Sequence, residues 1–169
     1  EDPKNRTRQV NRRLSKFEFI KQEFEEMGHQ TYFGPDDADY GIISFGSTQG
    51  EVEEAVETIN DNGHKVKALN VSDIVPFASK EVSDFLNSVD EAMVVEMNAT
   101  AQFRHHIQRE LGGYGDKLVS LLKYDGNPFR PKEIVEGFEE RLEGGTETLG
   151  NTRIEVSETK IREGLARGD

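Results

Sequence analysis

The sequence YGIISFGST, residues 40–48, predicts a buried strand that ends in a tight turn. Its first six residues are an apolar run of strand length, and Gly46 interrupts the run. The positions that follow, from Glu51 to Ile59, carry apolar residues at helical spacing, and Asn62-Gly63 ends that helix. A strand that leads through a turn into a helix is the first half of a βαβ unit.

The alternation of strand and helix continues along the chain. Residues 65–71, residues 92–95 with Glu96, and residues 117–122 predict three more strands. Short helices are expected after each of them, with Pro131 in the first turn of the last. We predict that Ser47, Ser79 and Thr100 cap the helices that follow them. The pattern therefore favours a mostly parallel sheet that is covered on both faces.

Composition excludes several function classes. The 169 residues fit one domain. No cysteine is present, which removes thiolate catalysis, iron–sulfur ligation and cysteine-based zinc sites from this chain. The net charge of −12 disfavours binding to nucleic acid and to anionic membranes. Apolar runs are too short to span a bilayer, so we expect a soluble, cytoplasmic protein.

The two ends of the chain differ from its middle. Residues 1–21 carry seven basic and three acidic side chains, and a helix is expected from Leu14 to Glu26, closed by Gly28. We interpret residues 1–36 as a basic helix or linker rather than as an anion-binding arm. Residues 144–169 form a polar extension, with a weak helix expected around residues 161–165.

The turn Gly46-Ser47-Thr48 is the first candidate site. It lacks the lysine of a P-loop and the glycine spacing of a dinucleotide fingerprint. Its amides either bind a small anion or only cap the strand-to-helix turn. A metal site is not predicted, because the side chains of His105 and His106 point about 100° apart on a helix.

Glu96 is the second candidate, because it ends an apolar strand where a charge is costly unless it is paired. Asn98, Thr100 and Gln102 follow within one turn. Ligand and interface sites of open α/β sheets collect at this edge. The other interpretation is that these side chains satisfy loop and helix-terminus amides.

Four segments together carry a resemblance to a known family. They are DADYGIISFGST, NVSDIVPFASKEV, VVEMNATAQF and KYDGNPFRPKEI, within residues 37–135. In order and approximate spacing they resemble the C-terminal domain of the α subunit of 2-oxoacid:ferredoxin oxidoreductases. The resemblance implies a transketolase-C-terminal-like, three-layer α/β/α fold with a mixed, mainly parallel sheet, over residues 37–143.

The resemblance also implies a function. Enzymes of this family convert a 2-oxoacid such as pyruvate or 2-oxoglutarate, with coenzyme A, to an acyl-CoA and carbon dioxide, and pass electrons to ferredoxin. Thiamine diphosphate, magnesium and an iron–sulfur cluster would belong to other domains and to the β subunit. This chain would be inactive alone and would support the preceding thiamine-binding domain and the subunit interfaces. The candidate contact residues are Gly46, Ser47, Thr48, Glu96, Asn98 and Gln102.

Two residues depart from the family pattern. Ala101 stands where the family has glycine, and Val75 where it often has tryptophan. A free-standing α/β module that binds a small anion at Gly46-Ser47-Thr48 is the alternative function. The excess of carboxylates, 33 acidic against 21 basic residues, is typical of proteins from concentrated salt, and we expect a salt-loving archaeal source.

Overall fold

Five strands form one mixed sheet in the computed structural model, which describes residues 2–144. The strands lie in the order β1-β3-β2-β4-β5, with β1 antiparallel to β3 and all other neighbours parallel. Their bounds are β1 (Thr31–Phe33), β2 (Tyr40–Phe45), β3 (Val66–Val71), β4 (Glu91–Glu96) and β5 (Leu118–Leu122). The four strands predicted from the sequence are confirmed to within one residue.

Helices cover both faces of the sheet. The helices are α1 (Pro3–Met27), α2 (Gln49–Asp61), α3 (Ser79–Asn87), α4 (Gln102–Leu111) and α5 (Pro131–Leu142). Helices α2 and α5 share one apolar core with the sheet, and α3 and α4 share the other. The predicted three-layer α/β/α architecture is confirmed.

The central strand β2 supplies both cores. Ile42 packs with the α2 and α5 layer, and its neighbour Ile43 packs with the α3 and α4 layer. Successive side chains of a strand point to opposite faces, so a strand buried on both faces is apolar throughout. This explains the mainly apolar run that begins at Tyr40, in which Ser44 is the buried polar residue.

Strand β1 is an element that the sequence did not reveal. Thr31–Phe33 pair antiparallel with Ala68–Asn70 and form the edge of the sheet. The sheet thus extends into residues 1–36, which the sequence pattern predicts to be a basic helix or linker. Three residues are too few to show a strand pattern, which explains why β1 escaped prediction.

The predicted helix caps at Ser47 and Ser79 are wrong. The chain makes one tight helical turn over Gly46–Thr48 before α2 begins, so Ser47 precedes the cap position, which Thr48 occupies without a side-chain bond. Ser79 is the first residue of α3, and its hydroxyl donates to the Phe77 carbonyl oxygen. Serine caps a helix only when the backbone turns at that residue, which sequence does not show.

Helix α1 is longer than predicted and has no buried residue. It begins at Pro3, where the Asp2 carboxylate accepts from the Lys4 amide, and it ends at Gly28 as predicted. Its last turns lie next to the body of the domain: Phe24 lines a small cavity with Pro76 and Phe77, and it packs on His29, whose Nδ1 lies 3.2 Å from Asp73 Oδ1. No helix within residues 2–144 is long and apolar enough to cross a membrane. The weak helix expected around residues 161–165 lies outside the described residues.

Gly41 and Gly50 provide a matched test of this packing. A Cβ on Gly41 would lie 2.6 Å from Cε1 of Phe85, whereas nothing lies within 4 Å of a Cβ on Gly50 in α2. We expect Gly41→Ala to lower the free energy of unfolding by about 1–3 kcal/mol through overpacking. Gly50→Ala should raise it by up to about 1 kcal/mol through helix propensity. Chemical denaturation measures both, and equal effects would contradict the packing described.

Candidate functional site

The carboxyl edge of the sheet contains a topological switch point between β2 and β4. The chain leaves β2 toward β3 on one side and leaves β4 toward β5 on the other. Open α/β sheets bind ligands in the crevice at this position. The turn at Gly46–Thr48 and the segment from Glu96 to Gln102 both follow these strands, so the fold brings the two candidate sites to one edge.

Glu96 is buried, with 1% of its surface exposed, and its carboxylate holds the first turn of α4. Oε2 accepts from the Phe103 amide at 2.7 Å, and Oε1 accepts from the Arg104 amide at 3.1 Å. Both amides belong to the first turn of α4, where backbone donors have no partner inside the helix. The negative charge also complements the positive end of the helix dipole. Glu96 therefore caps α4 from a neighbouring strand.

Asn98 completes this network. Its Nδ2 donates to Glu96 Oε2 at 2.6 Å, and its Oδ1 accepts from the amides of Thr100 and Gln102 at 3.0 and 3.2 Å. Thr100, predicted as the helix cap, contributes only this backbone amide, so that prediction is wrong. Of the two interpretations of the polar cluster, these bonds match the satisfaction of loop and helix-terminus amides.

The turn after β2 is partly exposed. Gly46 has φ +65, a left-handed conformation that favours glycine, while Ser47 is exposed and Thr48 is buried. A buried relay lies behind it: Ser44 donates to Asn70, Asn70 donates to Gln49, and Gln49 lies in the first turn of α2. The relay ties α2 to β2 and β3.

Sequence reasoning missed this relay, although a signal was present. Ser44 and Asn70 are polar residues just before the ends of two apolar strands, and they are register partners in the sheet. Such a pair on adjacent strands predicts a cross-strand hydrogen bond once the register is known.

The loop after β5 is closed by a buried ion pair. The Lys123 ammonium donates to the Glu133 carboxylate at 2.7 Å and to the Pro128 carbonyl oxygen at 3.0 Å. Burial alone would raise the pKa of Glu133. The hydrogen bonds from Lys123 and the Arg130 amide outweigh burial and hold that pKa below its usual range. These contacts explain the segment KYDGNPFRPKEI as a structural loop.

The donor set does not fit the metal cofactors that the resemblance implies. The chain has no cysteine for an iron–sulfur cluster. Within residues 2–144, no three histidine, aspartate or glutamate side chains are grouped to hold a metal ion. The carboxylate of Glu96 is committed to α4.

A family model and the sequences of known proteins both relate this chain to ferredoxin oxidoreductases. Residues 38–134 match the family described as pyruvate:ferredoxin oxidoreductase core domain II. The α subunit of 2-oxoacid:ferredoxin oxidoreductase 2 from Aeropyrum pernix is 27% identical over 149 residues, which are 88% of this chain and 23% of that protein. This chain thus spans about a quarter of the length of the curated relatives it matches.

Solved structures with a similar fold include an enzyme of the same kind. A 2-oxoglutarate:ferredoxin oxidoreductase from Magnetococcus marinus, solved with 2-oxoglutarate, coenzyme A and succinyl-CoA bound, matches with a TM-score of 0.67 and 28% identity, over 83% of this chain and 24% of that one. A split gene transketolase, an inactive beta4 tetramer, matches with a TM-score of 0.55 and 12% identity, over 69% of this chain and 42% of that one. The second match supports the fold alone.

The role of Glu96 is testable by an isosteric change. Glu96→Gln keeps the shape but sets an amide group against the donors of Asn98, Phe103 and Arg104. We expect the free energy of unfolding to fall by about 2 kcal/mol, because charged hydrogen bonds are lost and a buried donor is left unsatisfied. Urea denaturation measures this, with Glu57→Gln on the exposed face of α2 as the control. Equal stability of the two variants would contradict the capping role.

Ala101 gives a second test, because it is buried and has φ +50. The left-handed backbone there explains why glycine is the family residue, and it costs an L-residue about 1–2 kcal/mol. Ala101→Gly relieves this strain, but it also removes a buried methyl group and raises the conformational entropy of the unfolded chain. We therefore expect the free energy of unfolding to change by less than about 1 kcal/mol. Ala101→Val should cost about 2 kcal/mol or more through strain and crowding. Denaturation curves in which Ala101→Val is more stable than Ala101→Gly would contradict a left-handed, crowded backbone at this position.

Proposed function

Because this chain belongs to the pyruvate:ferredoxin oxidoreductase core domain II family, we propose that it is an assembly domain of a 2-oxoacid:ferredoxin oxidoreductase α subunit. The whole enzyme would convert a 2-oxoacid, coenzyme A and oxidised ferredoxin to an acyl-CoA, carbon dioxide and reduced ferredoxin. The observation that carries the proposal is the family match over residues 38–134, which spans the sheet from β2 to β5 and the loops at its carboxyl edge.

An architectural role suits the chemistry of the candidate site. Glu96 and Asn98 direct their hydrogen bonds into the fold, and Lys123 is paired with Glu133. A carboxylate that accepts from two backbone amides and a side-chain amide is placed to hold a helix rather than to exchange protons with a substrate. In this proposal, thiamine diphosphate, magnesium and the iron–sulfur cluster belong to other domains and to the β subunit.

The N-terminal segment would connect this domain to the thiamine-binding domain before it. Helix α1 has no buried residue, and Leu14, Phe17 and Phe19 are exposed on it. An amphipathic helix without buried residues gains its stability from packing against a partner. The rest of the α subunit would supply that surface.

A pull-down from the source organism tests the proposal. An antibody against this chain should recover a complex that contains a β subunit and reduces ferredoxin when given a 2-oxoacid and coenzyme A. The isolated 169-residue chain should show no such activity and no binding of thiamine diphosphate, coenzyme A or nucleotides by calorimetry. Micromolar binding of a small anion by the isolated chain, abolished by Ser47→Ala, would instead support the alternative module at Gly46-Ser47-Thr48.

We further infer that the carboxylate excess is an adaptation to concentrated salt in a salt-loving archaeon. Exposed carboxylates crowd the helices of one layer, at Glu54, Glu57 and Asp61 of α2 and Glu140 of α5. Their repulsion destabilises the domain in dilute buffer and is screened by salt.

The thermal unfolding midpoint should therefore rise in molar KCl relative to dilute buffer. The double variant Glu54→Gln, Glu57→Gln should raise the midpoint in dilute buffer and reduce the gain from salt, since fewer charges repel. Circular dichroism melts at several KCl concentrations measure both effects. A midpoint that is unchanged or lower in KCl would contradict the inference.

A further inference from the structure

We propose that the carboxyl edge of the sheet docks another domain of the same α subunit through an uncharged, partly apolar contact. The surface, here called the neutral edge, consists of residues 45–50, 72–78 and 97–101. These segments lie at or after the carboxyl ends of β2, β3 and β4, three adjacent strands, and the first of them runs from Phe45, the last residue of β2, into the start of α2. The inference rests on the proposed function and assigns a surface and a partner to it.

The neutral edge is set apart by its lack of charge. Charged residues make up 32% of the chain, yet Asp73 is the only one in these three loops. Asp73 is buried, and its carboxylate contacts Gln30 Nε2 at 2.6 Å and His29 Nδ1 at 3.2 Å, so little of this side chain is exposed to a partner. Depletion of charge at the centre of a patch is the compositional signal of protein–protein interfaces.

Each loop of the neutral edge also exposes one large apolar side chain. Phe45 is 37% exposed, Val75 66% and Met97 45%. The other large apolar side chains exposed within residues 2–144 lie on α1 and β1. The last turns of α1 line a small cavity together with Pro76 and Phe77 of the neutral edge. Aromatic residues and methionine are enriched at interface centres, whereas clusters of exposed apolar groups are uncommon on free surfaces.

The neutral edge is held rigid from behind by α4. The ring of Phe45 packs on that of Phe103 at 4.7 Å, and the ring of His106 bonds to the Ile74 carbonyl oxygen at 3.0 Å. Phe103 and His106 are one turn apart on the helix that Glu96 caps. The loops at Phe45 and at Val75 are therefore fixed to one element. A pre-ordered surface loses little conformational entropy on binding.

The partner is inferred from the length of the relatives and from covalent connection. The α subunit from Aeropyrum pernix is about four times as long as the segment it shares with this chain. Other domains of one subunit stay close to this edge by covalent connection, which raises their effective concentration. Interfaces between domains of a chain bury about 600–1,500 Å².

Oxidation of methionine by hydrogen peroxide tests the proposal, because Met27, Met93 and Met97 are the three methionines. The isolated 169-residue chain and the intact oxidoreductase are each treated, and peptide mass spectrometry follows sulfoxide at each site. Exposed Met97 should react in the isolated chain, as exposed Met27 does, and lose its reactivity in the enzyme. Met93, which is buried, should stay unreacted in both.

A matched pair of variants provides the second measurement. Met97→Lys places a charge in the neutral edge, and Thr58→Lys places the same charge on an exposed position of α2. Both should leave the unfolding midpoint of the isolated chain nearly unchanged. In the intact oxidoreductase only Met97→Lys should lower the midpoint, because the contact weakens by about tenfold or more when a charge is buried in it.

The outcomes separate the two proposals. If the complex is active but Met97 reacts equally in the chain and in the enzyme, the docking surface is wrong and the proposed function stands. If Met97 is already protected in an isolated chain that sediments as a dimer, the occupant is a second copy and the proposal is overturned. If the native protein has no 2-oxoacid-dependent activity, the proposed function itself fails.

Discussion

The bond between the Glu96 carboxylate and the start of α4 is the interaction on which the functional edge depends. The carboxylate lies at the end of a central strand with 1% of its surface exposed, where an unpaired charge would cost several kcal/mol. Two backbone amides and the Asn98 amide group compensate that charge. The start of α4 is thereby held at the end of β4. The segments at Phe45 and Ile74, which contact α4, are held in place with it.

The rigidity of this edge and its lack of charge have the same cause, which is that the polar groups at the strand ends form hydrogen bonds inside the fold. Polar groups at the ends of β2, β3 and β4 are used internally, in the Glu96 network and in the Ser44–Asn70–Gln49 relay. The side chains that remain exposed there are uncharged: the apolar ones are Phe45, Val75 and Met97, and polar ones include Ser47, Ser72 and Thr100. The carboxylates that give the chain its net charge lie elsewhere, notably on α2 and α5. A surface of this kind suits the contact between domains that we propose.

The sequence predicted the parallel strands because apolar runs of strand length are a local property. It also singled out Glu96, since a charge at the end of an apolar strand is anomalous in itself. The caps at Ser47, Ser79 and Thr100 were wrong because capping depends on where the backbone turns. At α4 the acceptor comes from Glu96, seven residues before Phe103 and on another element. The relay and β1 required the sheet register, which no local pattern contains.

A cryo-electron microscopy map of the intact oxidoreductase would test the central claim most directly. The account predicts that protein of the same α subunit covers Phe45, Val75 and Met97 with uncharged groups, while Glu96 still accepts from the amides of Phe103 and Arg104. A map in which these three side chains face solvent, or in which Glu96 has left α4 to contact a cofactor, would contradict it.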